Sequence, residues 1–149
     1  MATRGFEFAY QLDGSTATPV IRDLPVDGTD AYAIGDLCLI NSDGQLARVT
    51  DGTTEVSAVI MEARSSGSDG DELKAAILTR EQVWRCSMDA SSTAFVVGYT
   101  KTIDTVDHNT ISATDETGGG MILVDASETD DEGNVLAYVV FADTTFGNV

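Results

Sequence analysis

The chain has 149 residues, 42% of them hydrophobic, and a formal net charge of −17 from 25 acidic and eight basic residues. A chain of this length can bury one ordinary core, so we expect a single compact domain rather than disorder. The negative charge disfavours binding to nucleic acid or to an anionic membrane, and no apolar run is long enough for a transmembrane helix. The N-terminus also lacks the apolar core of a signal peptide.

The first thirty residues open with aromatic side chains at every second position, namely Phe6, Phe8 and Tyr10. This period predicts a strand that carries three aromatic rings on one face. Residues 13–30 are rich in Gly, Ser, Thr, Asp and Pro, which are typical of turns. We therefore interpret residues 1–30 as an N-terminal arm that extends from a single β domain formed by residues 31–149. The alternative is a first strand that packs on its own core.

A β-hairpin is predicted near the start of the domain. The apolar run Leu37–Ile40 has the length of a strand, and Asn41-Ser42-Asp43-Gly44 after it has the chemistry of a tight turn. Residues 45–50 alternate in polarity and form the returning strand. Because residues on both faces of the first run are apolar, we expect that strand to be covered on both sides.

Further short strands are predicted along the rest of the chain. Apolar or alternating runs occur at 56–64, 73–79, 83–88, 94–100, 102–106, 109–114, 121–126 and 134–142. In the last run both alternating sets are apolar, which predicts a second strand buried on both sides. About eleven short strands without a long helix indicate an all-β fold, either an antiparallel β-sandwich or a partly open barrel.

No pattern in the chain predicts catalysis, a cofactor or a metal. His108 is the only histidine, lies between two predicted strands and is expected in a turn, since the chain lacks a nucleophile elbow. One histidine and the separate Cys38 and Cys86 cannot form a common zinc site, and we expect both cysteines to be buried free thiols. The acidic segments 68–72 and 128–134 could offer oxygen atoms to calcium but lack EF-hand spacing, so we expect solvated loop tips.

The order of these pieces is more informative than any motif. In chain order they are a Gly35-Asp36 bend, the Leu37–Ile40 strand, the Asn41-Ser42-Asp43-Gly44 turn, an apolar strand at 56–61, a flexible loop, a strand at 73–79, a strand with Trp84, Gly98, and a closing strand at 135–141. Over residues 31–141 this order resembles the small head decoration, or cement, proteins of tailed bacteriophages.

The resemblance implies a non-enzymatic all-β protein that binds outside an assembled capsid, on the virion surface, after assembly in the host cytoplasm. It implies major capsid protein as the partner and a homotrimer as the assembly. Those proteins commonly use an N-terminal arm in capsid contacts, so Phe6, Phe8 and Tyr10 are the predicted partner-binding residues. We accordingly expect a deletion of residues 1–12 to leave the domain folded and to weaken capsid binding.

The alternative function is a β-sandwich module that binds carbohydrate or a host surface, of the head-fibre or adhesin type. Such a module would need an exposed aromatic cluster on the domain itself. A small hydrolase is a third reading, which the absence of a catalytic pattern disfavours.

Overall fold

The computed structural model describes residues 5–98, 101–116 and 118–146. The strands in this part of the chain are β1 Glu7–Gln11, β2 Ile21–Pro25, β3 Leu37–Ile40, β4 Leu46–Arg48, β5 Glu55–Val56, β6 Ala58–Ile60, β7 Glu72–Ile77, β8 Gln82–Ser87, β9 Thr105–Asp107, β10 Thr110–Ile111, β11 Met121–Thr129, β12 Val135–Phe141 and β13 Asp143–Thr144. There is no helix among these residues, so the prediction of an all-β fold is confirmed.

Two antiparallel sheets account for most of the strands. Sheet A has the order β1-β8-β12-β11, and sheet B has the order β2-β7-β6-β3-β4. Two smaller pairs complete the fold: β9 with β10, which is antiparallel, and β5 with β13, which is parallel. The described strands form separate sheets in a sandwich-like arrangement and no closed barrel, which decides between the two predicted architectures.

Apolar side chains from both sheets meet in one core, called here the inter-sheet core. Sheet A contributes Trp84 and Val139, and sheet B contributes Leu37 and Val59, all at 1% exposure or less. The indole Nε1 of Trp84 donates a hydrogen bond to Gln82 Oε1 at 3.0 Å, which satisfies the one polar atom of the ring. The alternation predicted for β12 is confirmed, since its odd-numbered residues face this core and its even-numbered residues face outward.

The predicted hairpin is present as β3 and β4. Asn41 Oδ1 accepts hydrogen bonds from the backbone N–H groups of Asp43 and Gln45, and Gly44 has a φ of 78°, which suits glycine. Leu37 lies in the inter-sheet core while Cys38 lies on the other face of sheet B, so β3 is covered on both sides as predicted.

The far face of sheet B is covered by the segment that follows β2. Val26 and Tyr32 come from outside the named strands and pack on apolar residues of sheet B, which we call the covered cluster. The Tyr32 ring lies 5.4 Å from the Arg48 guanidinium carbon and 5.2 Å from that of Arg64. Its hydroxyl donates to the Asp27 carbonyl at 2.7 Å, so the ring is held by cation–π contacts and a hydrogen bond.

The two cysteines lie in different clusters. Cys38 is in the covered cluster and Cys86 is in the inter-sheet core, so the prediction of two buried cysteines that are not joined in a disulfide is confirmed. Burial in an apolar environment raises the pKa of the Cys38 thiol, which therefore stays protonated at neutral pH.

The N-terminal segment differs from the predicted extended arm. β1 pairs with β8 at one edge of sheet A, and β2 pairs with β7 at one edge of sheet B. Phe6 is 2% exposed and packs 5.8 Å from the Phe141 ring in the inter-sheet core. For the described residues from Gly5 onward, the alternative of a first strand packed on its own core is the correct one. The physical reason is that the Phe6 side chain packs in the inter-sheet core and the backbone of β1 forms hydrogen bonds with β8.

Two predicted strands also require correction. The run at 56–64 is divided by Ser57 into β5 and β6 and ends at Ile60, so Val56 and Ala58 do not share a face. Residues 94–98 of the strand predicted at 94–100 are not in a strand, and residues 99 and 100 lie outside the described part. Val96 is 78% exposed there, and residues 94–98 form no strand pairing within the described part of the chain.

Gly119 and Gly120 are explained by the close approach of neighbouring backbone. A Cβ added at Gly119 would lie 2.0 Å from the Ile103 carbonyl oxygen, and one added at Gly120 would lie 2.2 Å from that of Thr54. Both distances are far shorter than a van der Waals contact, so these positions admit only glycine without a backbone shift.

Candidate binding surface

The three predicted partner-binding aromatics have different environments. Phe6 is buried in the inter-sheet core, which corrects its predicted role, because its side chain cannot reach a partner in the folded protein. Phe8 is half-buried and packs edge-on against Trp84, with ring centroids 5.7 Å apart. Tyr10 is 44% exposed and stacks on Tyr138 at 6.3 Å. Only Tyr10 therefore offers a large surface to a partner.

A β-bulge separates Tyr10 from the other two rings. Phe8 pairs with Trp84, but Tyr10 pairs with Val83, so one extra residue, Ala9, is inserted in β1. Because side chains alternate between the two faces of a strand, one extra residue moves everything after it to the other face. Tyr10 consequently lies on the outer face of sheet A, and the prediction of three aromatics on one face is wrong.

The outer face of sheet A carries an apolar cluster, called here the outer cluster. Its members come from the four strands of that sheet: Ala9, Val83, Ile122, Val124, Leu136, Tyr138 and Val140. Tyr138 is 8% exposed and Val83 is fully buried, so the middle of this face is already sheltered by the neighbouring side chains. Tyr10 borders the cluster through its contact with Tyr138.

Two adjoining cavities border the outer cluster, and together they form the outer groove. The first has a volume of about 330 Å³ and is lined by Phe8, Ala9, Tyr10, Arg85, Asp125, Glu128 and Tyr138. The second has a volume of about 290 Å³ and is lined by Gly5, Glu7, Arg85, Ser87, Thr129, Asp130, Asp131 and Leu136. Arg85 lines both cavities, and so do carboxylates.

Arg85, the one cation among the described residues that line the outer groove, is engaged within the protein. Arg85 Nη2 lies 2.8 Å from Glu7 Oε2, and its Nη1 donates to the Tyr138 hydroxyl at 3.4 Å. These hydrogen bonds, first that to Tyr138 and then that to Glu7, raise the pKa of the guanidinium, which stays charged. Hydrogen bonds from Ser127 lower the pKa of Asp125, which stays ionised at neutral pH. The groove is therefore anionic.

The acidic segment at 128–134 shapes one end of the groove. Asp130 Oδ1 accepts hydrogen bonds from the N–H groups of Glu132 and Asn134, and its Oδ2 accepts one from Ser87 Oγ at 2.7 Å. In the other predicted acidic segment, Asp71 Oδ2 accepts from Ser68 N and lies 3.6 Å from Arg64 Nη1. In both segments a carboxylate stabilises the turn itself.

Three other carboxylates lie close together, although no sequence pattern predicted this cluster. Oxygen atoms of Asp51, Asp104 and Asp115 are within 4.8 Å of one another. Asp104 is 1% exposed and accepts hydrogen bonds from Gly52 N and Thr105 N. Burial and the hydrogen bond with Asp51 raise its pKa to about 6, so a proton relieves the repulsion in this group.

His108 lies in the turn between β9 and β10, as the sequence predicts. Its Nε2 is 4.0 Å from Asp36 Oδ1, and its carbonyl accepts a hydrogen bond from Leu37 N at 2.8 Å. Asp36 is 1% exposed, its Oδ2 accepts from Ala33 N, and burial raises its pKa. These contacts attach the turn to the bend that precedes β3, which is a structural role.

No family model matches the chain, and neither a curated protein nor a solved structure matches it significantly. The described residues form no helix of the length and apolarity needed to cross a membrane.

Sequence reasoning found Tyr10 but missed the groove around it. The groove combines side chains from β1, β8, β11 and β12, which are far apart in the chain, and Tyr10 reaches it through a bulge that alternation does not reveal. The signal that was available is the run of acids at 125–132 beside the even-numbered apolar residues of β12.

Proposed function

We propose that this protein is a decoration protein of a tailed bacteriophage, which binds the outside of the assembled head and stabilises contacts between neighbouring major capsid protein subunits. We further propose that it acts as a homotrimer on the virion surface. The proposal draws on the order of strands and turns over residues 31–141 and on the all-β sandwich that they form.

The outer face of sheet A is the observation that carries this proposal. An apolar cluster with a buried centre and a partly exposed rim, bordered by an exposed aromatic ring and by charges, is typical of a protein interaction surface. The contact surface is therefore assigned to the outer groove and Tyr10 rather than to an arm with three aromatics.

Such a protein would stabilise the head by mass action. A ligand that binds the assembled lattice but not the separate subunits shifts the equilibrium toward the lattice. Three linked copies would also hold one another near their sites, so that modest single contacts give tight overall binding.

Co-sedimentation with capsids tests the proposal. The protein is expected to sediment with heads assembled from the major capsid protein encoded beside it, and to bind unassembled subunits weakly. Tyr10→Ala should weaken binding about tenfold or more, because exposed aromatic anchors contribute strongly to interfaces. Val20→Ala is the matched control, since Val20 is 52% exposed and precedes β2 in the other sheet. A protein that stays in the supernatant contradicts the proposal.

A carbohydrate-binding or host-surface module is the second candidate function. It is favoured by one observation: Tyr10 and Tyr138 stack beside Asp125 and Glu128, and sugars bind where an aromatic face adjoins hydrogen-bonding carboxylates. A glycan array separates the two functions, because selective glycan binding that Tyr10→Ala abolishes supports the module and is not expected of a capsid clamp.

A further inference from the structure

The two outward apolar faces of the sandwich differ in whether residues from outside the strands pack on them. The covered cluster on sheet B is closed by Val26 and Tyr32, which come from outside its strands. The outer cluster on sheet A contains only residues of that sheet's own strands, as far as residues 5–98, 101–116 and 118–146 show. Among the described residues, no segment from outside the strands covers the outer face, and its accessible apolar surface lies at the partly buried rim of the cluster, beside Tyr10.

The charges around the outer cluster indicate what kind of segment would fit. In the described part of the chain no lysine or arginine forms an ion pair with Asp125, Glu128 or Asp131. Arg85 is held by Glu7 and by the Tyr138 hydroxyl. A neutral or acidic partner would therefore bury carboxylates without counter-charges, which is strongly unfavourable.

We propose that the outer groove docks a positively charged extended protein segment, with an arginine or lysine side chain seated against Tyr10 between Asp125 and Glu128. The aromatic ring attracts the cation through its π face, and the carboxylates accept charge-assisted hydrogen bonds from it. The apolar residues of the segment pack on the outer cluster. This partner chemistry rests on the proposed function, in which the segment belongs to the capsid surface.

The arrangement also explains why a basic segment is favoured over a free amine. The two cavities, of about 330 and 290 Å³, share Arg85 as a lining residue and are both lined by carboxylates. A segment in extended conformation has alternate side chains on one face. It can therefore place cations in both cavities while an apolar side chain between them contacts the sheet.

Nuclear magnetic resonance titration of the full chain tests this proposal. The probe is a capped pentapeptide, Arg-Ser-Val-Ser-Arg, which in extended conformation places both arginines and the valine between them on one face, and the charge control is Glu-Ser-Val-Ser-Glu. The arginine peptide is expected to shift the amide signals of residues 8–10, 125–128 and 138, with an affinity that falls as salt rises. The glutamate peptide is expected to cause no shifts.

Matched variants connect the binding to the groove. Asp125→Asn with Glu128→Gln should weaken binding of the arginine peptide about tenfold, while Asp43→Asn with Glu81→Gln, which removes the same charge elsewhere, should leave it unchanged. Tyr10→Ala should weaken binding and Tyr10→Phe should retain it. The variant folds are checked by their amide spectra without peptide.

Each result either supports or overturns the docking of a basic segment in the outer groove. Equal binding of the two peptides, shifts elsewhere, no binding at millimolar peptide, or equal losses in both double variants would overturn the proposal. Capsid binding without peptide binding would refute this partner chemistry alone. Peptide binding through the groove without capsid binding would refute the capsid function and leave the groove's preference for basic segments standing.

Discussion

Phe6, directly before β1, and Tyr10, within β1, affect different properties of the protein. Phe6→Ala should lower the free energy of unfolding by about 3–5 kcal/mol, because it removes a buried aromatic side chain from the inter-sheet core. Tyr10→Ala should lower it by about 1 kcal/mol or less, since Tyr10 is 44% exposed. Urea unfolding followed by circular dichroism measures both, and equal losses for the two variants would contradict the assignment of Phe6 to the core.

Asp104 gives the protein a specific pH dependence. Its pKa is raised from the ordinary value of 3.8 to about 6, first by burial and then by the hydrogen bond with Asp51. A carboxyl whose folded pKa is raised favours folding when protonated. Its contribution to stability is therefore full below about pH 4 and is lost as pH rises through about 6.

Asp51→Asn should reduce this effect, because it removes the negative neighbour of Asp104. The pKa of Asp104, followed by carboxyl carbon shifts in nuclear magnetic resonance, is expected to fall. The variant should be more stable than the parent protein at pH 7, and this difference should disappear below pH 4. Asp43→Asn, in the exposed turn after β3, is the control for the change in net charge. An unchanged pKa of Asp104 would refute the coupling.

At the scale of the elements, Ser57 determines how β5 and β6 are joined. Ser57 is fully buried, and its Oγ accepts a hydrogen bond from Ile40 N at 2.8 Å. Since Thr145 Oγ1 donates its own proton to Glu55, the Ser57 hydroxyl donates to Thr145 at 2.7 Å. One side chain thus links β3, the junction of β5 with β6, and the chain after β13.

Ser57→Ala should lower the free energy of unfolding by about 1–3 kcal/mol, because it leaves the Ile40 N–H without its partner. Ser42→Ala, in the exposed turn of the hairpin, should change it by less than about 0.5 kcal/mol. Both are measured by urea unfolding. If the two variants were equally stable, the Ser57 hydroxyl would have no role in joining the strands.

The same elements show what the sequence could predict. The alternation in β12 and the apolar run of β3 correctly predicted strands buried on both faces. In these regular strands successive side chains point to opposite faces, so apolar residues at successive positions indicate burial of both faces. The bulge at Ala9 and the break at Ser57 shift that period by one residue without any local signal, so the face of Tyr10 and the continuity of the strand at 56–64 were predicted incorrectly. The apolar run at 94–98 indicated a strand but forms no strand ladder in the part of the chain that the structure describes, and strand pairing depends on distant residues.

At the scale of the whole molecule, charge is unevenly distributed along the chain. Lys101 is the last basic residue, whereas ten acidic residues follow it. The acids of β11 and of the β11–β12 turn belong to this part, so the outer groove lies in the most negative region of the sequence. Such a field would attract a basic partner before contact and would weaken with salt.

The net charge also predicts how salt affects folding. Raising sodium chloride to about 0.5 M should increase the free energy of unfolding at pH 7, because it screens repulsion among the acidic side chains. Urea is the appropriate denaturant, since guanidinium is itself a salt. The effect should shrink near the isoelectric point of about 4.1, where the net charge vanishes. A salt effect of equal size at both pH values would show that screening of net charge is not its cause.

Trp84 is the only tryptophan of the chain, it is fully buried, and Phe8 lies edge-on against its ring. Its fluorescence emission should therefore be blue-shifted in the folded protein and move to the red when the two sheets separate. Because the indole faces the inter-sheet core and not the outer groove, a docked segment should leave that emission unchanged. Trp84 fluorescence therefore reports whether the sandwich is folded and does not report whether a segment is bound in the outer groove. A variant that loses its partner while keeping the blue emission has lost a contact and not its fold.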